Sequence, residues 1–149
     1  VEAVVAVNDN RKRAMGRKVI AAMGGDVRGK TVAVLGLTFK PNTDDMRDSP
    51  AIAVVQTLQD AGARVQAYDP EGTEQAKLVL DNVDYCTGAY AAMEGADALV
   101  IVTEWDAFRA LDMDRVKGLL SSPIIVDLRN IYPRDMVEKY GFTYHAVGR

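Results

Sequence analysis

Lys40, Arg47 and Arg129 are the side chains of this sequence best suited to gripping an anion, and Phe39 sets an aromatic ring beside the first of them. A lysine offers a compact ammonium, and an arginine offers a planar fork that matches phosphate oxygens two at a time. Lys40 and Arg129 with an apolar surface alongside suit a diphosphate joined to a planar base. Each residue also has a plainer reading. Lys40 can be a solvated loop lysine and Phe39 core filler. Arg47 can brace its own loop, because Asp44, Asp45 and Asp48 are close by in sequence. Asp44 and Asp45 raise a metal site as one reading, but two adjacent carboxylates without a third ligand more often order a loop.

Nothing in the chain is arranged for covalent or acid–base chemistry. Cys86 has no neighbouring His or Lys to draw off its proton, so it reads as a structural thiol. His145 is the sole histidine and supports no triad. Trp105 reads as a packing residue, with stacking on a base as the alternative. No catalytic residue is assigned.

The elements that must position these side chains follow from apolar patterning. Thr31 to Leu35 is a Val-rich run and reads as a buried parallel strand. Ser49-Pro50 reads as a helix start, with a hydroxyl at the N-cap and proline at the first helical position. Between them lies a long polar loop, where a dinucleotide-binding fold would carry its phosphate turn. The G-x-G-x-x-G glycines of that turn are missing. This loop is therefore expected to hold an anion through side chains.

The helix from Pro50 carries Ala51, Val54, Val55, Leu58 and Ala61 on one face and stops at Gly62. Arg64–Tyr68 reads as a strand, and Thr73–Leu80 as a helix. Val83–Cys86 is a short strand, and Ala89–Glu94 a brief helix. Ala98–Val102 is the most apolar run and hence a central strand. A turn at Thr103–Asp106 leads to a helix from about Met113 to Leu120. Pro123–Val126 is a further strand, Pro133 opens a last helix that ends at Gly141, and Phe142–Ala146 can add an edge strand. This alternation predicts an α/β, Rossmann-like, doubly wound and mostly parallel sheet with helices on both faces. Ligands of such sheets sit outside the carboxyl ends of the strands. Gly36–Lys40, Asp69, Thr103-Glu104 and Asp127–Asn130 all follow strand ends, so they share one rim and bring Lys40 toward Arg129.

Upstream, Val1, Val5, Met15, Val19 and Met23 form a seam at helical spacing that Asn8 and Lys12 interrupt. Two readings stand: a helix end that reaches solvent, or a helix packed on another domain or subunit. The sequence opens at Val1 without an initiator Met, already inside this helix, which suggests a fragment whose other half lies upstream. With 149 residues, 48% hydrophobic, there is enough chain for one proper core. The net charge of −3 and the lack of a basic stripe argue against nucleic acid or an anionic membrane as main partner. No apolar run approaches the ~20 residues of a membrane span, and no signal peptide is apparent. One cysteine excludes an internal disulfide and fits a reducing cytoplasm.

The loop from Phe39-Lys40 to Ser49-Pro50, with Tyr68-Asp69-Pro70, Thr103-Glu104-Trp105-Asp106 and Asp127-Leu128-Arg129-Asn130, resembles the C-terminal, UDP-binding domain of the UDP-glucose/GDP-mannose dehydrogenase family. The similarity runs along essentially the whole chain. It implies residues 1–25 as the end of an inter-domain linking helix and 26–149 as the UDP-sugar-binding domain. It implies an upstream NAD-binding domain as partner, and a homodimer formed through the linking helix. By this resemblance Phe39, Lys40 and Arg129 contact the UDP-sugar, and Arg47 reaches across the cleft toward NAD. The family oxidises the sugar C6 alcohol twice with two NAD, through a thioester on a cysteine for which this chain has no match. The chain alone is thus expected to bind UDP-glucose, or a related UDP-sugar, without oxidising it. Rival readings are a family member acting on UDP-N-acetylmannosamine or GDP-mannose, and a free-standing nucleotide-binding module. An NAD-binding domain proper is disfavoured by the missing glycines.

Overall fold

The computed structural model describes residues 13–38, 40–42, 44–46 and 49–147. Helix α1 is described over residues 13–22. Twelve elements follow: β1 (Thr31–Leu35), α2 (Pro50–Asp60), β2 (Arg64–Tyr68), α3 (Thr73–Ala76), β3 (Val83–Tyr85), α4 (Ala89–Met93), β4 (Ala98–Ile101), α5 (Asp106–Arg109), α6 (Met113–Leu119), β5 (Ile124–Asp127), α7 (Arg134–Lys139) and β6 (Thr143–Ala146). The strands form one sheet in the order β3-β2-β1-β4-β5-β6, every pair parallel. This is the order of a doubly wound dinucleotide fold, with the reversal between β1 and β4. No helix among the described residues is long and apolar enough to cross a membrane.

Both faces of the sheet are buried at its centre, so the central strands need apolar residues on both sides, and β1 from Val32 onward and β4 supply them. Val32 and Val34 point with Val65, Ala67, Ala98, Val100 and Val126 into one core, closed by Val19 and Met23 of α1 and Val54, Val55 and Leu58 of α2. Ala33 and Leu35 point with Leu99, Ile101 and Ile125 into the other, closed by Met93, Phe108, Val116 and Val137. The Met15–Val19–Met23 part of the N-terminal seam thus packs on its own domain. At Gly16 the backbone of α1 comes so near α2 that a Cβ there would lie 2.6 Å from the Thr57 Cβ. The Val1, Val5, Asn8 and Lys12 part of that seam lies outside the described residues.

Two elements differ from expectation. The helix expected over Thr73–Leu80 ends at Ala76, because only Ala76 and Leu80 reach the core while Leu78 and Val79 stay exposed. The chain there closes in tighter turns, with Leu78 N–H on the Gln75 carbonyl and Val79 N–H on the Ala76 carbonyl. Beyond the Thr103 turn lies an unforeseen short helix, α5, which buries Phe108 edge-on to Tyr68 with ring centroids 6.3 Å apart. Strand β5 also runs one residue further than read and takes Asp127 into the ladder opposite Ile101 and Ala146.

Candidate functional site

The strand ends at Leu35, Tyr68, Ile101 and Asp127 deliver their loops to one rim of the sheet. The loop after β1 opens with Gly36 at φ +95°, where a Cβ would lie 2.5 Å from both the backbone N and the Cβ of Thr103. Only glycine admits that approach of the β1 and β4 exits. Thr103 Oγ1 then donates to the Thr38 carbonyl at 2.7 Å, and Gly36 N–H to the Tyr68 carbonyl at 2.9 Å. Three exits are joined within a few residues of one another.

Asp69 is the hub of this junction. Its side chain is buried, the residue being 3% exposed. Oδ2 accepts from Leu37 N–H (2.7 Å), Thr38 N–H (3.2 Å), Thr38 Oγ1 (3.3 Å) and Trp105 Nε1 (3.3 Å). Oδ1 accepts from Glu71 N–H (2.9 Å) and Gly72 N–H (2.7 Å). A carboxylate removed from water needs its lone pairs filled by donors. Trp105 is therefore a buried packing residue whose indole N–H finds its partner on Asp69.

The start of α2 is closed in the same way. Ser49 Oγ accepts from Ala51 N–H at 3.2 Å and donates to the Leu37 carbonyl at 2.7 Å. Leu37 and Met46 are buried in the adjoining core, so the loop folds down over the helix entry. The capped helix end and the filled Asp69 carboxylate do not fit a dinucleotide in the β1–α2 turn. That fold needs free N–H groups for the pyrophosphate and a free carboxylate for the ribose.

Beyond these contacts lies the outer surface of the rim. Lys40 lies there, exposed, with its carbonyl 3.1 Å from Thr38 Oγ1 and sharing that hydroxyl's one proton with Asp69. Beside the same loop, Asn42, Asp44, Glu71 and Trp105 line a recess of about 390 Å³. Two strand spacings away, on the order of 10 Å, the loop after β5 carries Arg129. A second buried carboxylate shapes that loop. Asp127 Oδ1 accepts from Arg129 N–H at 3.0 Å, and Oδ2 from Ile131 N–H (2.8 Å), Tyr132 N–H (3.1 Å) and the Tyr144 hydroxyl (2.7 Å). Burial, with Asp127 and Tyr144 nearby, pushes the Tyr132 hydroxyl well above the ordinary tyrosine range.

Arg129 is not a bare cation. Its Nε pairs with the Glu104 carboxylate at the exit of β4. The Glu104 role had no signal in local sequence, because it arises only from β4 lying beside β5. Phe39 and Arg47, the other two residues singled out from sequence, lie outside the described residues. Among the described residues no group of His, Cys, Asp and Glu could hold a metal ion. Cys86 is half-buried, its thiol pushed up by burial and then by Asp84, as suits a protonated packing residue.

A profile of the UDP-glucose/GDP-mannose dehydrogenase family, UDP binding domain, matches residues 33–134. The chain is 67% identical over 149 residues to UDP-glucose 6-dehydrogenase of Rhizobium meliloti, covering all of this chain and 34% of that protein. It is 41% identical over 150 residues to UDP-glucose 6-dehydrogenase TuaD of Bacillus subtilis, covering 32% of it. The chain spans about a third of the length of these curated relatives. Among solved structures it is similar to a UDP-glucose dehydrogenase of Pyrobaculum islandicum, with TM-score 0.77 and 32% identity over 97% of this chain and 31% of that one. It also superposes on an NDP-N-acetyl-D-galactosaminuronic acid dehydrogenase of Methanosarcina mazei, with TM-score 0.83 and 28% identity over 97% of this chain and 30% of that one. With its parallel sheet, its side-chain-bearing loop in place of a glycine turn and this match, the chain belongs to the UDP-glucose/GDP-mannose dehydrogenase family, within its UDP-binding domain.

Proposed function

We propose that this rim binds the diphosphate of UDP-glucose for a dehydrogenase that converts it to UDP-glucuronate with two NAD. The observation that carries the reading is the 67% identity to a UDP-glucose 6-dehydrogenase across the entire chain. The geometry supports it from the other side. Lys40 is exposed on the rim, Arg129 stands two strands away, and the turn where a dinucleotide would lie is filled by protein groups. In this reading Lys40 Nζ and the Arg129 fork neutralise the two phosphates, and Phe39 offers its ring beside them.

No step of the oxidation is assigned to this chain in this reading. NAD, in this reading, is held by another domain of the same protein, with Arg47 of this chain reaching toward it across the cleft. The protein works in the cytoplasm and pairs with a second copy through the helix that begins upstream of α1. Residues 1–25 are the end of that helix and residues 26–149 the UDP-sugar-binding domain.

Turnover by the whole protein tests the reading. With UDP-glucose it should reduce two NAD per sugar. UDP-N-acetylmannosamine or GDP-mannose in its place should give a kcat/KM lower by about 10²-fold or more, the scale that a few mismatched polar contacts produce. Faster turnover of either rival would reassign the sugar, while leaving the nucleotide rim intact.

A further inference from the structure

We propose that Asp69 is a positioning residue for nucleotide binding, acting through Thr38 on Lys40. The inference rests on the assignment of Lys40 to the phosphates. In a dinucleotide-binding sheet the carboxylate after β2 reads a ribose hydroxyl. Here five N–H donors crowd the two Asp69 oxygens, with the shared Thr38 hydroxyl beside them, and leave no capacity for a ligand. The donors come from three different strand exits: Leu37 and Thr38 after β1, Glu71 and Gly72 after β2, and Trp105 after β4. The carboxylate has been turned from a ligand reader into the pin of the loop that carries the ligand's cation.

The link to Lys40 is short. Thr38 N–H donates to Asp69 Oδ2 at 3.2 Å, and the single hydroxyl proton of Thr38 is divided between the Lys40 carbonyl at 3.1 Å and Oδ2 at 3.3 Å, so residue 38 ties the two together. Thr38 is fully buried and its own carbonyl is held by Thr103 Oγ1. Its Cγ2 sits close enough to Gly72 that a Cβ there would lie 2.4 Å from it. Residue 38 thus has a single place to be, and Lys40, two residues on, starts from a fixed backbone. An asparagine at 69 would turn an NH2 toward at least two of the N–H groups that now meet oxygen. The loop would lose its pin while Lys40 kept its charge.

UDP binding by the protein is measured calorimetrically for Asp69→Asn, Thr38→Val, Lys40→Ala and the double variants Asp69→Asn/Lys40→Ala and Thr38→Val/Lys40→Ala, each after a melting curve. Asp69→Asn and Thr38→Val should each weaken UDP by roughly tenfold. In the Lys40→Ala background the same changes should cost less than about twofold, because the group they aim is gone. If Asp69→Asn fails to fold, the near-isosteric Thr38→Val cycle carries the test. Losses that simply multiply in the double variants would show general loosening of the rim and overturn the proposal, as would wild-type affinity in Asp69→Asn. Failure of the unsubstituted protein to bind UDP would overturn the nucleotide reading itself, and it is told apart because it precedes any substitution.

Discussion

Arg129 reaches the ligand rim already engaged: its guanidinium Nε meets the Glu104 carboxylate, delivered from the exit of the neighbouring strand. The side chains are 35% and 23% exposed, so water screens the pair. A pair of this kind contributes about 0–1 kcal/mol to folding. Its larger consequence, in the proposed reading, is for the ligand. In that reading a diphosphate arriving at Arg129 would meet a carboxylate there first, and the two anions would compete for one fork.

Glu104→Gln should therefore tighten UDP binding by roughly threefold to tenfold, since it removes a like charge from the rim. Arg129→Ala should weaken it by about 1.5–3 kcal/mol, the scale of a hydrogen bond to a charged group. Neither change should move the melting temperature by more than about 4 °C, given how little an exposed pair contributes. Calorimetric titration beside a melting curve checks both. Weaker binding in Glu104→Gln would show that Glu104 aims Arg129 and does not compete for it.

Gly36 and Gly24 form a matched test of the junction between β1 and β4. Both have left-handed backbones, φ +95° and +101°, but a Cβ at Gly36 meets Thr103 at 2.5 Å whereas one at Gly24 meets nothing within 4 Å. Gly24→Ala should cost about 1–2 kcal/mol of conformational strain alone. Gly36→Ala should cost that and a further 1–3 kcal/mol for overpacking, and should also weaken UDP binding by displacing the Lys40 loop. Equal melting temperatures for the two variants would contradict the close approach described at the rim.

Much of this was legible from residue order, and the reasons are local. The Val-rich β1 and the apolar β4 announce themselves because both faces of a parallel sheet are covered, which leaves no polar alternation to obscure them. Ser49-Pro50 was readable as a helix start because a cap depends on the next two residues, and Ser49 does accept from Ala51 N–H. Arg129 could be placed on the rim for the same reason, being two residues past a strand. Its pairing with Glu104 could not, because the two are 25 residues apart and meet only through strand adjacency. The Asp69 hub was half visible. Its place after β2 was plain, but from that place alone it resembles a ligand reader, and only the folded loops show it filled. The helix expected over Thr73–Leu80 stops at Ala76 because Leu78 and Val79 point to solvent and give it no core face to continue on.

Cys86→Ser should leave turnover of the whole protein nearly unchanged. Burial and then Asp84 hold the thiol pKa above its ordinary value of 9.0, so the proton stays on at neutral pH. Alkylation by iodoacetamide should accordingly be slow near pH 7 and accelerate only as pH climbs past about 9, because the thiolate is the nucleophile. A fall in turnover of ~10³-fold or more, the scale of a lost nucleophile, would instead place the thiol in the reaction.

In the proposed reading this rim takes a uridine diphosphate and not a dinucleotide. Titrating the 149-residue chain with UDP and, separately, with NAD tests it most directly, with heat of binding as the readout. UDP should saturate a single site whose affinity falls as salt rises, in keeping with paired charges at Lys40 and Arg129. NAD should give no saturable heat, because Ser49 caps the α2 entry and Asp69 holds protein donors on both oxygens. Saturable binding of NAD with none of UDP would contradict the account.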